Sequence, residues 1–265
     1  PRHRRARARR CARPPAEGED VTQPPAPIPQ VAARRGAEAR HESAARSMFD
    51  RIAPTYDLLN RLMSAGIDRR WRARAVAEAS DAPPGPVLDL CAGTMDLTAA
   101  LASLRPADRI VAVDFAAKML DAGRNKAPRA EIVVADAAAL PFEDGSFSTV
   151  VCGFGIRNLA DPLAGAREVL RVLRPGGVFV TLELFRPTRS VTRAFHRAYA
   201  SFVLPALGGW LSGDRPAYDY LARSMAGFLT RLEYEHLLLT AGFARIRGTD
   251  LTLGVASIVR AEVAP

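Results

Sequence analysis

The sequence predicts an α/β fold on a mostly parallel sheet, and three observations carry that prediction. From Val87 onward, short apolar runs alternate with stretches of helical period. A turn of small residues, Cys91-Ala92-Gly93-Thr94, joins the first of these strands to the helix after it. An acid, Asp114, ends the second strand 21 positions beyond Gly93. In an open α/β sheet, such a turn and carboxylate face a nucleotide-like ligand outside the carboxyl ends of the strands.

Taken in order, the elements divide as follows. Residues 1–42 are rich in Arg, Pro and Ala and lack apolar periodicity. They are expected to be a disordered tail, with an organelle transit peptide as the alternative. Residues 43–265 form one domain. Met48, Phe49, Ile52, Ala53, Tyr56, Leu59 and Leu62 recur at helical spacing, broken by Pro54. Trp71 and Val76 continue an amphipathic helix to Ala79, and Asp81-Ala-Pro-Pro-Gly-Pro is a linker.

The first strand is Val87–Leu90, an apolar run with Asp89 inside it. A helix over about Asp96–Leu104 follows, with Leu97, Ala100, Leu101 and Leu104 on one face. Strands are expected at Ile110–Asp114, Glu131–Ala135 and Ser148–Gly153, with a helix near Ala117–Arg124. Asp161-Pro162 reads as a cap with Pro at the first helical position, directing Leu163, Ala166, Leu170 and Leu173 to the core. Arg174-Pro-Gly-Gly reads as a turn before a fifth strand, Val178–Leu184.

After Phe185 the pattern changes. Phe195, Tyr199, Phe202, Val203, Leu207 and Trp210, broken by Pro205 and Gly208-Gly209, predict an apolar insertion over about 186–230. A helix from Arg231 to Ala241 stops at Gly242. Strands near Ala244–Thr249 and Ala256–Ala261 close the sheet edge as a hairpin.

Charge and cysteines narrow the function classes. The net charge is +9, yet residues 1–40 hold ten Arg against four acids, so six of those charges sit in the tail. The fold itself carries about +3 and no basic-aromatic stripe, so nucleic acid is not an expected partner. Cys11, Cys91 and Cys152 show neither disulfide nor metal spacing and suit a reducing compartment. No apolar run is long enough to span a bilayer, and the basic start lacks the apolar stretch of a secretory leader. A cytoplasmic location is expected, with peripheral contact at the inner face of a membrane left open.

The ligand class follows from what the glycine turn lacks. A G-x-G-x-x-G fingerprint is missing: only Gly93 remains, and Met95 stands where a further glycine would. A diphosphate needs close backbone approach, so NAD and FAD are disfavoured against S-adenosylmethionine (SAM).

Several stretches together resemble one family. Asp136-Ala137 follows the third strand, Leu140-Pro-Phe-Glu-Asp-Gly-Ser-Phe leads into the fourth, and Pro175-Gly-Gly precedes the fifth. This set is similar to class I SAM-dependent methyltransferases. Phe154-Gly-Ile-Arg-Asn158, Phe49-Asp-Arg-Ile-Ala53-x-x-Tyr56-Asp57 and Tyr218-x-Tyr220-Leu221-x-x-Ser224 resemble the ubiquinone/menaquinone biosynthesis C-methyltransferases. The similarity runs from about Ser47 to Arg260.

The resemblance implies a Rossmann-like sheet of seven strands, one antiparallel, under a helical lid. It implies methyl transfer from SAM to a ring carbon of a polyprenylated hydroquinone: demethylmenaquinol, or the benzoquinol of the ubiquinone branch. The implied cofactor positions are Gly93 and Thr94 in the turn, Asp114 for the ribose, and Asp136 with Ala137 for the adenine. Gly153 completes them at the end of the fourth strand. Thr94 sits where a helix N-terminus and its hydroxyl meet the cofactor carboxylate; helix capping is the plain alternative for Thr94 and Asp136. Two positions depart from the pattern: Met95 stands for the usual Gly, and Gly153 often for Ser.

Arg157 and Asn158 are the expected catalytic pair. Arginine stays protonated, so its role is to lower the pKa of the acceptor phenol. The structural alternative is an ion pair of Arg157 with Asp161 or Glu168. His196, Tyr199 and Tyr218 are further proton acceptors in the lid, and Tyr56 with Asp57 closes over the cofactor. Other readings stay open: methylation of another small aromatic, a non-catalytic SAM-fold protein, or a homodimer.

Overall fold

The computed structural model of the protein describes residues 45–199 and 215–265. The expected tail and the stretch with Phe202, Val203, Leu207 and Trp210 lie outside the described residues.

Residues 45–52 are helical, and a turn at Ala53–Thr55 separates them from α1 (Tyr56–Met63), as Pro54 dictates. α2 spans Asp68–Ser80. The alternating unit then runs β1 (Val87–Leu90), α3 (Asp96–Leu104), β2 (Ile110–Asp114), α4 (Ala117–Gly123), β3 (Glu131–Val134), β4 (Phe147–Gly153), α5 (Pro162–Val172) and β5 (Leu173–Glu183). The insertion contributes α6 (Ser190–Ala198) and α7 (Arg215–Gly227), and the chain ends with α8 (Arg231–Ala241), β6 (Arg245–Leu251) and β7 (Ala256–Glu262).

The seven strands lie in the order β3-β2-β1-β4-β5-β7-β6. Neighbours from β3 to β5 are parallel, and β7 runs antiparallel to both β5 and β6. Strand order reverses between β1 and β4, which opens a crevice at their carboxyl ends.

Side-chain alternation along the strands builds a core on each face. Leu88 and Leu90 of β1 join Val169 and Val172 of α5 and Tyr234 and Leu238 of α8. Val87 faces the other way, with Trp71, Ala75 and Val76 of α2 and Leu97 and Leu101 of α3. Each large side chain so buried contributes about 1.5–3 kcal/mol. The same alternation sends Asp89 into the α2/α3 layer, where Thr98 donates to its Oδ2 at 2.5 Å.

Local chemistry sets the helix ends. Asp161 Oδ1 accepts from Leu163 N and Ala164 N, the expected cap. Thr230 and Glu233 form a capping box at α8, and Gly242 ends that helix with φ +116°.

The structure corrects several expectations. Arg174-Pro-Gly-Gly is not a turn outside the sheet but lies within β5, where Leu173 pairs with Phe147 across a register shift. Gly176 N donates to Ala264 O, so the C-terminus ties down this irregular stretch. In α5 the buried face is Gly165, Ala166, Val169 and Val172, while Leu163 and Leu170 are only half-buried. α7 is a regular helix that periodicity did not single out.

Candidate active site

The crevice between β1 and β4 becomes a site because its loops are held in strained, close-packed conformations. Cys91, Gly93 and Met95 all take left-handed φ (+54°, +52° and +63°), and Phe154 across the crevice does the same at +61°. Each non-glycine residue so placed costs about 1 kcal/mol or more, a cost that surrounding structure must hold.

Asp114 provides part of that hold. Its Oδ2 accepts from Gly93 N at 2.9 Å and its Oδ1 from Ala116 N at 2.8 Å. The carboxylate thus laces the loop after β1 to the loop after β2. Burial pushes its pKa up to about 6 against the pull of those N–H groups. Gly155 fixes the other wall: a Cβ there would lie 2.3 Å from Cys91 Cβ, so no larger residue fits.

The expected cofactor residues fall into two groups. Gly93, Asp114 and Gly153, with Asn158, line one narrow cleft that Phe49 and Tyr56 also wall. Thr94, Asp136 and Ala137 sit in the neighbouring loops without lining it. The Thr94 hydroxyl donates to Asp57 Oδ1 at 2.6 Å, and Asp57 also accepts from Lys126 at 2.5 Å. Lys126 in turn reaches Asp96 at 2.7 Å. Burial alone would raise the Asp57 pKa, but the bonds from Lys126 and Thr94 outweigh it and hold it below its ordinary value. Thr94 therefore fastens α1 over the glycine turn. Asp136 Oδ1 accepts from Ala138 N at 2.8 Å, and Ala135 N donates to Asp114 O at 3.2 Å, which sets the third loop beside the second. Ala137 is buried in the core.

Both departures from the family pattern have a physical reason. Met95 is fully buried against Ala112, Leu120 and Ala127, so its side chain turns away from the cleft. Its backbone keeps the left-handed shape that a glycine adopts without cost. At Gly153 a Cβ would come within 2.5 Å of Leu97 Cδ1, so Leu97 occupies the space a side chain would need.

A second cavity of about 190 Å3 adjoins the first and shares Tyr56 and Phe154 with it. Its walls are largely apolar: Met63, Ile67, Trp71, Leu184, Tyr199, Leu221 and Met225 come from α1, α2, the lid and the end of β5. Arg157, Arg72 and His196 are polar groups within it.

Arg157 pairs with neither Asp161, which caps α5, nor Glu168, which bonds Arg171. Its partner is Glu183 at the end of β5. Glu183 Oε1 accepts from Arg157 Nη1 at 2.5 Å, and Arg157 Nη1 also donates to Phe154 O at 2.8 Å. Burial works against the guanidinium, yet Glu183 outweighs it and keeps the group above its ordinary pKa. Arg157 Nε is buried without a partner among the described residues. Asn158 Nδ2 donates to Phe154 O at 3.4 Å, and Tyr220 of α7 donates to Asn158 Oδ1 at 3.3 Å.

His196 titrates below its usual value because of burial. The Tyr199 hydroxyl donates to Met63 O at 2.6 Å, which makes it a lid tether. The Tyr218 side chain lies outside the described residues.

Sequence reasoning missed Glu183, Lys126 and Arg72. Glu183 ends an apolar strand as Asp114 does, and that parallel was the available signal. Lys126 and Arg72 gave none, since each reads as an ordinary surface cation. Cys152 is a free thiol buried in the core, and Cys91 is a half-buried one that packs against it and lines the cleft.

The donor set fits an adenosyl sulfonium. A buried carboxylate with lone pairs to spare ends β2, Gly153 and Gly155 opposite have no room for a side chain, and Met95 leaves the cleft open.

Comparisons with known proteins show the family and the fold. The chain is 45% identical over 215 residues to demethylmenaquinone methyltransferase of Thermus thermophilus, covering 80% of this chain and 97% of that one. It is 42% identical over 219 residues to demethylmenaquinone methyltransferase of Deinococcus radiodurans, covering 81% and 90%. The ubiquinone/menaquinone biosynthesis C-methyltransferase UbiE of Geotalea uraniireducens is 40% identical over 224 residues, 82% and 95% of the two chains. In fold, a SAM-dependent methyltransferase of Thermotoga maritima superposes with a TM-score of 0.58 at 18% identity, covering 82% of this chain and 98% of that one. A Haemonchus contortus N-methyltransferase solved with S-adenosylhomocysteine superposes at 0.55 and 15% identity, covering 72% and 52%. The ubiE/COQ5 profile matches residues 37–262, from the end of the tail to the last strand, and the chain belongs to the ubiE/COQ5 methyltransferase family.

Proposed function

We propose that this chain transfers the methyl group of SAM to a ring carbon of a polyprenylated hydroquinone, with demethylmenaquinol as the acceptor. The observation that carries the reading is an apolar cavity meeting the polar cleft at Tyr56 and Phe154, with a buried arginine in its wall. A flat, apolar quinol ring suits such walls, and relatives above 40% identity are named for demethylmenaquinone.

SAM supplies an already activated methyl group. The protein has two remaining tasks. Asp114 and the left-handed turn would hold the cofactor in one orientation, an entropic contribution. Arg157, anchored by Glu183 in the wall of the cavity, stabilises a phenolate oxygen. Deprotonation of the phenol pushes electron density into the ring and makes its carbon nucleophilic. His196, kept neutral by burial, is placed in the same cavity to take that proton. The ring carbon gains the methyl and releases its hydrogen as a proton, so the quinol leaves at the same oxidation level. Asn158, fixed by Tyr220, orients the acceptor side of the cleft.

The acceptor's polyprenyl tail implies a lipid source. Val191 (74% exposed), Phe195 (53%) and Leu253 (72%) are apolar and exposed around the α6 end of this cavity. Thr192 donates to Leu253 O at 2.7 Å and joins the two segments. Arg189, Arg193 and Arg197 flank them, the pattern of a helix lying on an anionic bilayer. No helix among the described residues is long and apolar enough to cross a membrane. Flotation with anionic and with neutral liposomes tests the surface: binding to anionic vesicles, lost in Phe195→Ser/Arg193→Ser, is expected.

The quinone profile of a strain lacking this chain tests the reaction. A demethylated menaquinone accumulating is the expected result. A demethylated benzoquinone would move the assignment to the ubiquinone branch, and an unchanged profile would reject both.

A further inference from the structure

One cation beside the cleft has ion pairs but no hydrogen bond among the described residues. Arg72 of α2 is 13% exposed at its side chain, and its guanidinium lies over the Phe154 ring at 5.2 Å. Its Nη1 is 3.7 Å from where a Cβ on Gly153 would stand. Phe154 and Gly153 are both walls of the cofactor cleft. Two carboxylates form long ion pairs with Arg72, neither of them a hydrogen bond: Asp68 Oδ2 at 3.5 Å and Asp96 Oδ2 at 3.9 Å from Nε. Nε is buried and makes no hydrogen bond among the described residues.

The other cations near the cleft are engaged. Lys126 bonds Asp57 and Asp96, and Arg157 bonds Glu183 and the Phe154 carbonyl. The ion pairs balance the Arg72 charge at long range but leave its donors without an acceptor, and an anionic ligand group supplies one.

The position selects the ligand group. With the ribose at Asp114 beyond β2, the amino-acid end of the cofactor would fall toward β1 and β4, where Gly153 lies. That end carries a carboxylate. The Thr94 hydroxyl is committed to Asp57, and Gly153 has no side chain to offer.

We propose that Arg72 is the counter-charge for the carboxylate of the cofactor's amino-acid moiety, bound across the Gly153–Phe154 wall. The inference rests on the reading that the cleft holds SAM. Because Arg72 also faces the apolar cavity, the competing role is to serve the acceptor's oxygen instead.

Calorimetry with two cofactor fragments separates these cases. S-adenosylhomocysteine carries the carboxylate, and 5′-methylthioadenosine lacks the whole amino-acid end. Arg72→Met should weaken S-adenosylhomocysteine by roughly 10- to 100-fold, the worth of a charge-assisted bond, and leave methylthioadenosine unchanged. Arg72→Lys should recover part of the loss. Methylthioadenosine binding doubles as the check that Arg72→Met is folded. Equal weakening of both ligands overturns the proposal in favour of a structural role. Unchanged S-adenosylhomocysteine affinity with a raised KM for the quinol overturns it in favour of the acceptor. Wild-type protein that binds neither fragment overturns the cofactor reading itself.

Discussion

The cofactor cleft and the acceptor cavity share two walls but are made of different material. The floor of the cleft is backbone, with left-handed turns, glycines in contact with neighbouring chain, and a carboxylate that holds N–H groups of two loops, while Phe49, Tyr56 and Met119 close over it. That floor comes from the ends of β1, β2 and β4, which are fixed by the sheet. The cavity is side chain: Met, Leu, Ile, Trp and Tyr from helices packed over the sheet edge. One added carbon has nowhere to go in the first region, whereas the second can repack. A cofactor of one shape suits a rigid cleft, and a flat ring with a long apolar tail suits walls that yield.

The largest effect should come where the two regions are tied together. Glu183 is fully buried and Arg157 nearly so. Glu183→Ala leaves a buried guanidinium without its counter-charge and should cost about 3–5 kcal/mol in urea unfolding. Loss of less than about 1 kcal/mol would mean that the pair is not what supports the Phe154–Asn158 turn.

Next in size is the contrast itself. Gly155→Ala puts a methyl against the Cys91 backbone stem, which cannot rotate away, and should destabilise by about 1–3 kcal/mol. Met225→Ala, in the half-buried cavity wall, should cost less than Gly155→Ala and act mainly by raising KM for the quinol. The reverse ranking would break the distinction between a rigid cleft and a yielding cavity.

The two regions were legible in the sequence to different degrees for the same reason. The cleft's parts sit at strand ends, and strands announce themselves by composition: Val87–Leu90, Ile110–Asp114 and the helix start at Asp96 fall where periodicity places them. The fold's one antiparallel strand agrees with the resemblance to the family. What the sequence did not disclose was pairing over long separations. Arg157 with Glu183, Thr94 with Asp57 and Lys126 with Asp96 are 26, 37 and 30 positions apart, and no local pattern encodes them. Arg174-Pro-Gly-Gly was misread because Pro and Gly signal a turn locally, while pairing with β4 and the C-terminus keeps the chain in the sheet.

A smaller effect follows from pH. Asp114 and Asp89 have pKa values raised by burial to about 6 and about 7. Unfolded, each returns to roughly 4. A carboxyl raised on folding favours the folded state while protonated, so stability from these two falls as pH rises through 6 and then 7. Cofactor binding should run the other way, because ionised Asp114 is the stronger acceptor for ribose hydroxyls. Between pH 5 and 8, the urea midpoint of the free protein should drop while S-adenosylhomocysteine affinity climbs. Asp114→Asn should flatten the binding curve near pH 6. Parallel trends in the two measurements would show that Asp114 does not report from the cleft.

The smallest expected effect probes a compensation inside the cleft. At Gly153, Leu97 Cδ1 sits 2.5 Å from the point a Cβ would occupy. If Leu97 is the reason for the glycine, Gly153→Ser should cost about 1 kcal/mol as the buried leucine leaves its rotamer. Leu97→Val removes the overlapping methylene at about 1 kcal/mol of its own. The double variant should then be more stable than the sum of the single costs by roughly 0.5–1 kcal/mol, the signature of two residues sharing one space. Strict additivity in urea unfolding would mean that Leu97 moves aside freely. The cleft would then tolerate a side chain at 153, and its rigidity would end at β4 rather than extend across the crevice to the wall that Arg72 faces.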